Sequence, residues 1–234
     1  MTNKEIRKDA TIKMKNNTSV IFLSLVLVSI LTSIIYYISG FVPVLALPLT
    51  FILPLVTELS LTNLFLKISK NGIGTFNDLI DPFRKNFLRK ILTLLLSKLY
   101  LALWSILLWI PGIIKTFSYS QVIYLILDDK QDLSENKAIK ASRQVMKGNK
   151  LRLFRLGVPF IIYYILSFML ASAMMMLFRS NEKLALTTFI FVMVVLTVYI
   201  HPCFMLSLSN FYLDITNGEK VELEEKNKKE NIKK

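Results

Sequence analysis

Five stretches of this chain are apolar over at least the length at which a helix crosses a bilayer, and no other feature limits the fold as strongly. Ser19–Gly40, Phe41–Leu66, Leu153–Phe178 and Leu184–Ile215 each hold about 20 or more mostly apolar residues, the length needed to cross roughly 30 Å of hydrocarbon. The fifth block, Ile91–Leu127, is too long for one crossing, since a single helix over it would reach about 55 Å at 1.5 Å per residue. With 53% hydrophobic residues overall, the chain carries more apolar side chain than an ordinary soluble domain. Lipid offers no partner to a backbone N–H or C=O, so these segments are expected as helices and the fold class as all-α. Ser19–Gly40 reads as a span and not as a cleavable leader, being longer than a typical leader core and lacking a small-residue cleavage site.

Charge decides how the crossings are arranged. The formal net charge is +13, with 29 Lys plus Arg, but the grouping matters more than the total. Five basic residues precede the first apolar block, six lie between Lys67 and Lys90, eight between Lys130 and Arg155, and six in the tail from Lys220. Only Lys98, Lys115, Arg179 and Lys183 stand outside these groups. Short loops rich in Lys and Arg stay on the cytoplasmic side, so an even number of crossings should separate each group from the next. The block Ile91–Leu127 must then cross and return. Ile110-Pro111-Gly112 is its expected corner: Pro111 has no N–H and disfavours helix at Ile110, and Gly112 accepts the backbone angles of a reversal. The alternative is a Pro-kinked helix followed by a re-entrant turn.

The expected architecture is therefore a polytopic helical bundle of six membrane-spanning helices paired as three hairpins, with spans at about 19–40, 43–66, 91–110, 112–127, 153–178 and 184–212. Both termini fall on the cytoplasmic face. The returning limb 112–127 is short and carries Lys115, Thr116, Ser118 and Gln121, so it should cross against other helices and not against lipid. Amphipathic basic segments flank the spans. Residues 1–18 place Ile6, Ala10 and Met14 on a narrow apolar stripe. In 75–90, Asp81 and Pro82 fit an N-cap and first helical residue. In 133–148, Ser134 fits the cap and Gly148 the end. Ala138, Ala141, Ser142, Val145 and Met146 there share one face while Lys137, Lys140, Arg143 and Lys147 share the other. That basic face reads either as a clamp on anionic lipid or as a topology signal. Residues 216–234 open on Asn217-Gly218, a helix stop, and continue as a charged, weakly ordered tail.

Ionisable residues at membrane depth are the natural candidates for chemistry. Glu58 lies eight residues before Leu66 and Lys98 eight residues after Lys90, each about 12 Å inside the inner boundary and on consecutive spans. A contact between them is expected; the alternative has Lys98 extending to the inner interface and Glu58 protonated or hydrogen-bonded to Ser60 or Thr57. His201 precedes Pro202 in the last span, where proline frees a carbonyl one turn earlier. It reads as a hydrogen-bonded kink histidine or as a proton relay. A single His and a single Cys leave no metal-ligand constellation and no nucleophile with its base, and "NGIG" at 71–74 lacks the lysine of a phosphate loop. No catalytic residue, metal or cofactor is assigned, and an enzyme is not expected. The methionines 174–176, beside Ala171, Ser172 and Ala173, suggest close helix packing.

The central stretch "LWSILLWIPGIIKTFSYSQVIYLILDDKQDLSENKAIKASRQVMKGNKLRLFRL", Leu103–Leu156, resembles the signature region of an uncharacterised bacterial integral membrane family catalogued as domain of unknown function 975. The resemblance is carried by Trp104, Ile110, Pro111, Gly112, Ile113, Tyr119, Ser120, Asp128, Leu133 and Ser134, then by Ala138, Ile139, Ser142, Met146, Lys147, Gly148, Lys150, Leu153 and Phe154. The N-terminal basic helix and the closing "SNFY", Ser209–Tyr212, also fit, so that the resemblance extends over nearly the whole chain. The sequence departs at "DDK", where the family has Asp-Asn-Pro, and at "IIYYIL", where an aromatic pair is usual. The resemblance implies a polytopic protein of the bacterial cytoplasmic membrane without known enzymatic activity.

Taken together these features suggest a non-enzymatic membrane protein acting through lipid or a membrane partner, in envelope stress or in protection against membrane-active peptides. The alternative is a small transporter or transporter subunit, motivated by Glu58, Lys98, His201 and the broken hairpin. Expected partners are membrane lipids, anionic at the cytoplasmic face, and a membrane protein or second copy of the chain. Nucleic acid is not among them.

Overall fold

The structure is a computed structural model. It describes all residues except 42, 108, 129–134, 179, 180, 233 and 234, and only the backbone at 43, 45–47, 107, 109, 197 and 218–232. Among the described residues ten helices follow in order: α1 Asn3–Asn16, α2 Thr18–Ser39, α3 Pro43–Asn71, α4 Asn77–Arg84, α5 Phe87–Leu107, α6 Trp109–Tyr119, α7 Val122–Leu127, α8 Glu135–Val145, α9 Lys150–Leu177 and α10 Glu182–Ile232. No strand occurs among the described residues. Five segments are long and apolar enough to cross a membrane: Thr18–Ser39, Pro48–Asn71, Ile110–Leu127, Lys150–Leu177 and Glu182–Asn217. The sixth expected span, 91–110, includes residue 108, outside the description.

Burial divides the bundle into two layers. Along α2, the upper half of α9 and the first half of α10, large apolar side chains face outward: Leu31, Ile34, Ile162, Leu166, Ile190 and Phe191 are all about half exposed or more. An apolar coat of that extent has to be covered, and at spanning length the cover is lipid. At the other end the side chains interlock in three clusters. Leu59, Leu66, Leu94, Tyr124 and Tyr212 form one. Ala10, Leu64, Phe65, Ile68 and Leu206 form the second. Ile6, Met146, Leu153, Leu156 and Phe211 form the third. The α1 stripe seen in the sequence therefore packs on protein: Ile6 and Ala10 are fully buried and Met14 nearly so.

α1 runs antiparallel along the last turns of the apolar part of α10. Its start is secured by a capping box, with Glu5 N–H donating to Thr2 Oγ1 and Thr2 N–H to Glu5 Oε2. The N-terminal ammonium lies 2.8 Å from Asp214, which also accepts from Arg152. Further along, Asn210 donates to Asp9 at 3.0 Å and Lys13 pairs with Asp9 at 2.7 Å. Thr11 Oγ1 reaches Cys203 Sγ at 3.5 Å. A third bolt joins α3 to α10: Asp128 accepts from Lys70 and, at 2.8 Å, from Tyr212 O–H, while Tyr212 stacks on Tyr124 with centroids 5.3 Å apart.

Several sequence expectations are corrected. α5 and α6 do fold back on each other, but Pro111 and Gly112 are not the corner; they sit in the first turn of α6, where the missing N–H of proline costs nothing. Gly112 does not have positive φ. Its function is close approach, since a Cβ there would lie 2.9 Å from Ser105 Cα of α5. α4 starts at Asn77, not at Asp81, because Asp78 accepts from Thr75 N–H and Oγ1 at 2.7 and 2.9 Å and nucleates the turn earlier. Asp81 and Pro82 thus fall inside α4, and Asn86, at φ 51°, separates it from α5. Ser134, the expected cap of α8, lies outside the described residues, whereas Gly148 adopts the expected left-handed φ of 84° after α8. α10 does not stop at Asn217-Gly218 but continues as helix to Ile232. Glu222 and Lys226, Glu224 and Lys228, and Glu225 and Lys229 recur there at the four-residue spacing that supports helix. Met175 and Met176 are exposed, whereas Ala171 is fully buried and Ser172 and Met174 are half-buried.

The close α5–α6 crossing makes Gly112 the sensitive glycine. Gly112→Ala gains up to about 1 kcal/mol of helix propensity but forces backbone apart at a cost of about 1–3 kcal/mol. A net fall in Tm of roughly 2–4 °C is expected in detergent by intrinsic fluorescence. Gly157→Ala, with open space at the Cβ position, should leave Tm unchanged or raise it. Equal behaviour of the two variants would rule out the crossing.

Candidate functional site

α8 is amphipathic in the sense read from its sequence. Ala138, Ile139, Ser142 and Met146 are buried, and Lys137, Lys140, Arg143 and Lys147 are exposed. Its apolar face lies against α5, α6 and α7, so the helix is held by protein and its basic face is left free. That face does not stand alone. Lys140, Arg143 and Lys147 line a cavity of about 590 Å³ together with Lys115 from α6 and Lys150 from the start of α9; Ile114, Ser118 and Gln144 complete the wall. Among the described residues, five cationic side chains and no carboxylate line this space. Lys115 reaches it from an otherwise apolar helix, with its ammonium 4.5 Å from the centroid of the Trp104 ring, a cation–π contact that partly compensates for lost water. Lys137 does not line the cavity.

The cavity forms because the limb after α6 is broken. Ser120 and Gln121 interrupt the helix between α6 and α7, and the Ser118 carbonyl at the break accepts from Ser142 Oγ of α8 at 2.8 Å. This hydrogen bond attaches α8 to the break and sets its basic face beside Lys115. Gln121 is fully buried and donates to Ser120 Oγ at 3.0 Å, while its Oε1 has no hydrogen-bond partner among the described residues.

Glu58 and Lys98 meet as the sequence depths indicate: Lys98 Nζ donates to Glu58 Oε1 at 3.0 Å, joining α3 to α5. The pair borders a smaller cavity of about 140 Å³ on the opposite side of the broken limb, lined also by Ser97, Thr116, Tyr119 and Ser120. The side chains are 36% and 49% exposed, so the pair is neither sealed in the core nor free of it. His201 is not part of this group; its Nδ1 faces Tyr164 O–H of α9 at 3.4 Å, a tie between the two last spans beside the Pro202 kink. The sequence reading missed that Lys115 and Lys150 join the α8 face, because they are 35 positions apart in the chain and only the α6–α7 break brings them together. It also missed Asp128, whose bonds to Lys70 and Tyr212 need contacts that no local pattern encodes.

Residues 106–219 match the family described as "Protein of unknown function (DUF975)", just under half of the chain. The resemblance seen in the sequence is thus supported over its second half, which includes all five cavity cations and "SNFY". Glu58, Lys98 and α1 lie outside the matched residues. No curated protein and no solved structure matches the chain.

The Glu58–Lys98 contact should appear as a coupling. Glu58→Gln and Lys98→Met are each expected to lower Tm, by leaving one charge unpaired at membrane depth. The double variant should be less destabilised than the sum of the two, by on the order of 1 kcal/mol given their partial exposure. Strict additivity in a thermal double-mutant cycle would remove the interaction.

Proposed function

We propose that this chain is a non-enzymatic protein of the bacterial cytoplasmic membrane, with both termini inside and the α5–α6 hairpin entering from the cytoplasmic face and returning to it, that holds an anionic phospholipid headgroup in the α6–α8–α9 cavity. One observation supports this reading above the others: Lys115, Lys140, Arg143, Lys147 and Lys150 converge on one space that no carboxylate of the described residues lines. Five like charges repel one another, so the arrangement needs a counter-anion to be stable. A phosphate fits that chemistry, since guanidinium and ammonium groups donate charge-assisted hydrogen bonds to its oxygens. Lys115 also places the site beside the spanning layer, where a headgroup is at high local concentration and a basic residue near the surface contributes about 1 kcal/mol. In the cell, ordering anionic headgroups at the inner leaflet would serve envelope protection against cationic membrane-active peptides, and a strain lacking the gene should be more sensitive to them.

The direct test is binding of dioctanoyl phosphatidylglycerol to the purified full-length protein, with dioctanoyl phosphatidylcholine as reference. Lys140→Ala, Arg143→Ala and Lys150→Ala together are expected to weaken binding by about 3 kcal/mol, roughly a hundredfold. Lys137→Ala, on the same helix but outside the cavity, should change it little. Loss of the same size from Lys137→Ala, or none from the triple variant, would overturn the site.

A further inference from the structure

The flank of α1 beside its buried stripe borders two further cavities, both nearly all apolar. One, of about 720 Å³, lies between α1, α9 and α10 and includes Arg7, Pro159, Phe160, Tyr163 and Cys203 in its wall. The other, of about 460 Å³, lies between the α1–α2 junction and α10 and includes Lys15, Thr18, Phe22, Leu25 and Pro202. Met14, Val195 and Tyr199 belong to both walls, so the two are neighbouring slots divided by one ridge. They share a direction as well. Arg7 and Cys203 are in the wall of the first slot and Lys15 and Pro202 in that of the second, and Val195, in both walls, sits about 11 Å further along α10 toward the apolar coat than Pro202 and Cys203.

Each slot therefore has one cation in a wall that is otherwise almost all hydrocarbon. Asp9, the nearby acid on α1, is engaged by Lys13 and Asn210, and neither Arg7 nor Lys15 has an acidic partner among the described residues. We infer that this paired groove seats one diacyl anionic phospholipid of the inner leaflet, with a chain on each side of the Tyr199 ridge and the phosphate drawn to Arg7 and Lys15. Charge complementarity supports this occupant: an acyl chain suits walls that are almost free of polar atoms, and two unpaired cations in those walls suit a phosphate. The site is independent of the α6–α8–α9 cavity, shares no residue with it and stands on its own observation.

Native mass spectrometry of the full-length protein in mild detergent, with added dioleoyl phosphatidylglycerol or dioleoyl phosphatidylcholine, tests it. In the Lys140→Ala, Arg143→Ala, Lys150→Ala background, where the other site is disabled, one phosphatidylglycerol should still be retained in preference to phosphatidylcholine. Arg7→Gln with Lys15→Gln should weaken that retention roughly tenfold or more. Val195→Trp, which fills the shared wall from a half-exposed position and so should leave Tm unchanged, should abolish it. Retention unaffected by Val195→Trp, equal retention of the two lipids, or a dimer that Val195→Trp dissociates would each overturn the assignment, the last by making the groove a contact between copies of the chain.

Discussion

A bilayer does not accept unpaired charge, and the distribution of charge in this chain turns that constraint into a fold. Cations gather at one end of every apolar segment, so each helix that leaves the charged end has to return to it. What the structure adds is that the charged end is not a set of loose loops. Three carboxylates, Asp9, Asp128 and Asp214, each tie two other groups: Lys13 and Asn210, Lys70 and Tyr212, Arg152 and the N-terminus. They join α1, α3, α9 and α10 at the level where the side chains are most buried. The lipid-facing layer above is far less packed, with 11% of the Thr18–Ser39 window buried against 50% for Pro48–Asn71. Association in lipid gains nothing from removing apolar surface from water, so precise packing is concentrated in the inner layer.

That division explains which features could be read from the sequence. Spanning segments are legible because length and hydropathy are local, and the α1 stripe of Ile6, Ala10 and Met14 and the two faces of α8 follow from helical period alone. The depth argument for Glu58 and Lys98 works because helices convert residue number into distance. Pro111-Gly112 misleads for a physical reason. Both residues are as useful just inside a helix as between two helices, and the proximity of Gly112 to Ser105 is a property of two helices, not of one segment. Asn217-Gly218 misleads similarly, since a glycine lowers helix propensity but charged neighbours at four-residue spacing restore it. The cavity cations escape a sequence reading because Lys115 is an isolated charge in an apolar run, and its partners come from a helix attached through the Ser142–Ser118 hydrogen bond.

The two proposed lipid sites have one logic. Each places cations of the inner layer where a phosphate of the inner leaflet would meet them, one at a polar break in a helix and one in the walls of an apolar groove. In both, the basic residues do more than fix topology: a topology signal needs only positive charge on the right side, whereas convergence on a cavity, and on paired slots with a shared wall, requires specific positions. Lys137 is the internal contrast, equally basic, on the same face of α8, and outside the cavity.

The account rests on α8 and its cations lying at the cytoplasmic face, and site-directed thiol labelling measures that most directly. In a Cys203→Ala background, a cysteine replacing Lys137 or Lys147 should be silent to a membrane-impermeant maleimide in intact cells and react once the membrane is permeabilised, while one replacing Lys183 should react in intact cells. Labelling of position 137 or 147 from outside intact cells would contradict the cytoplasmic placement of α8 and the inner-leaflet sites with it.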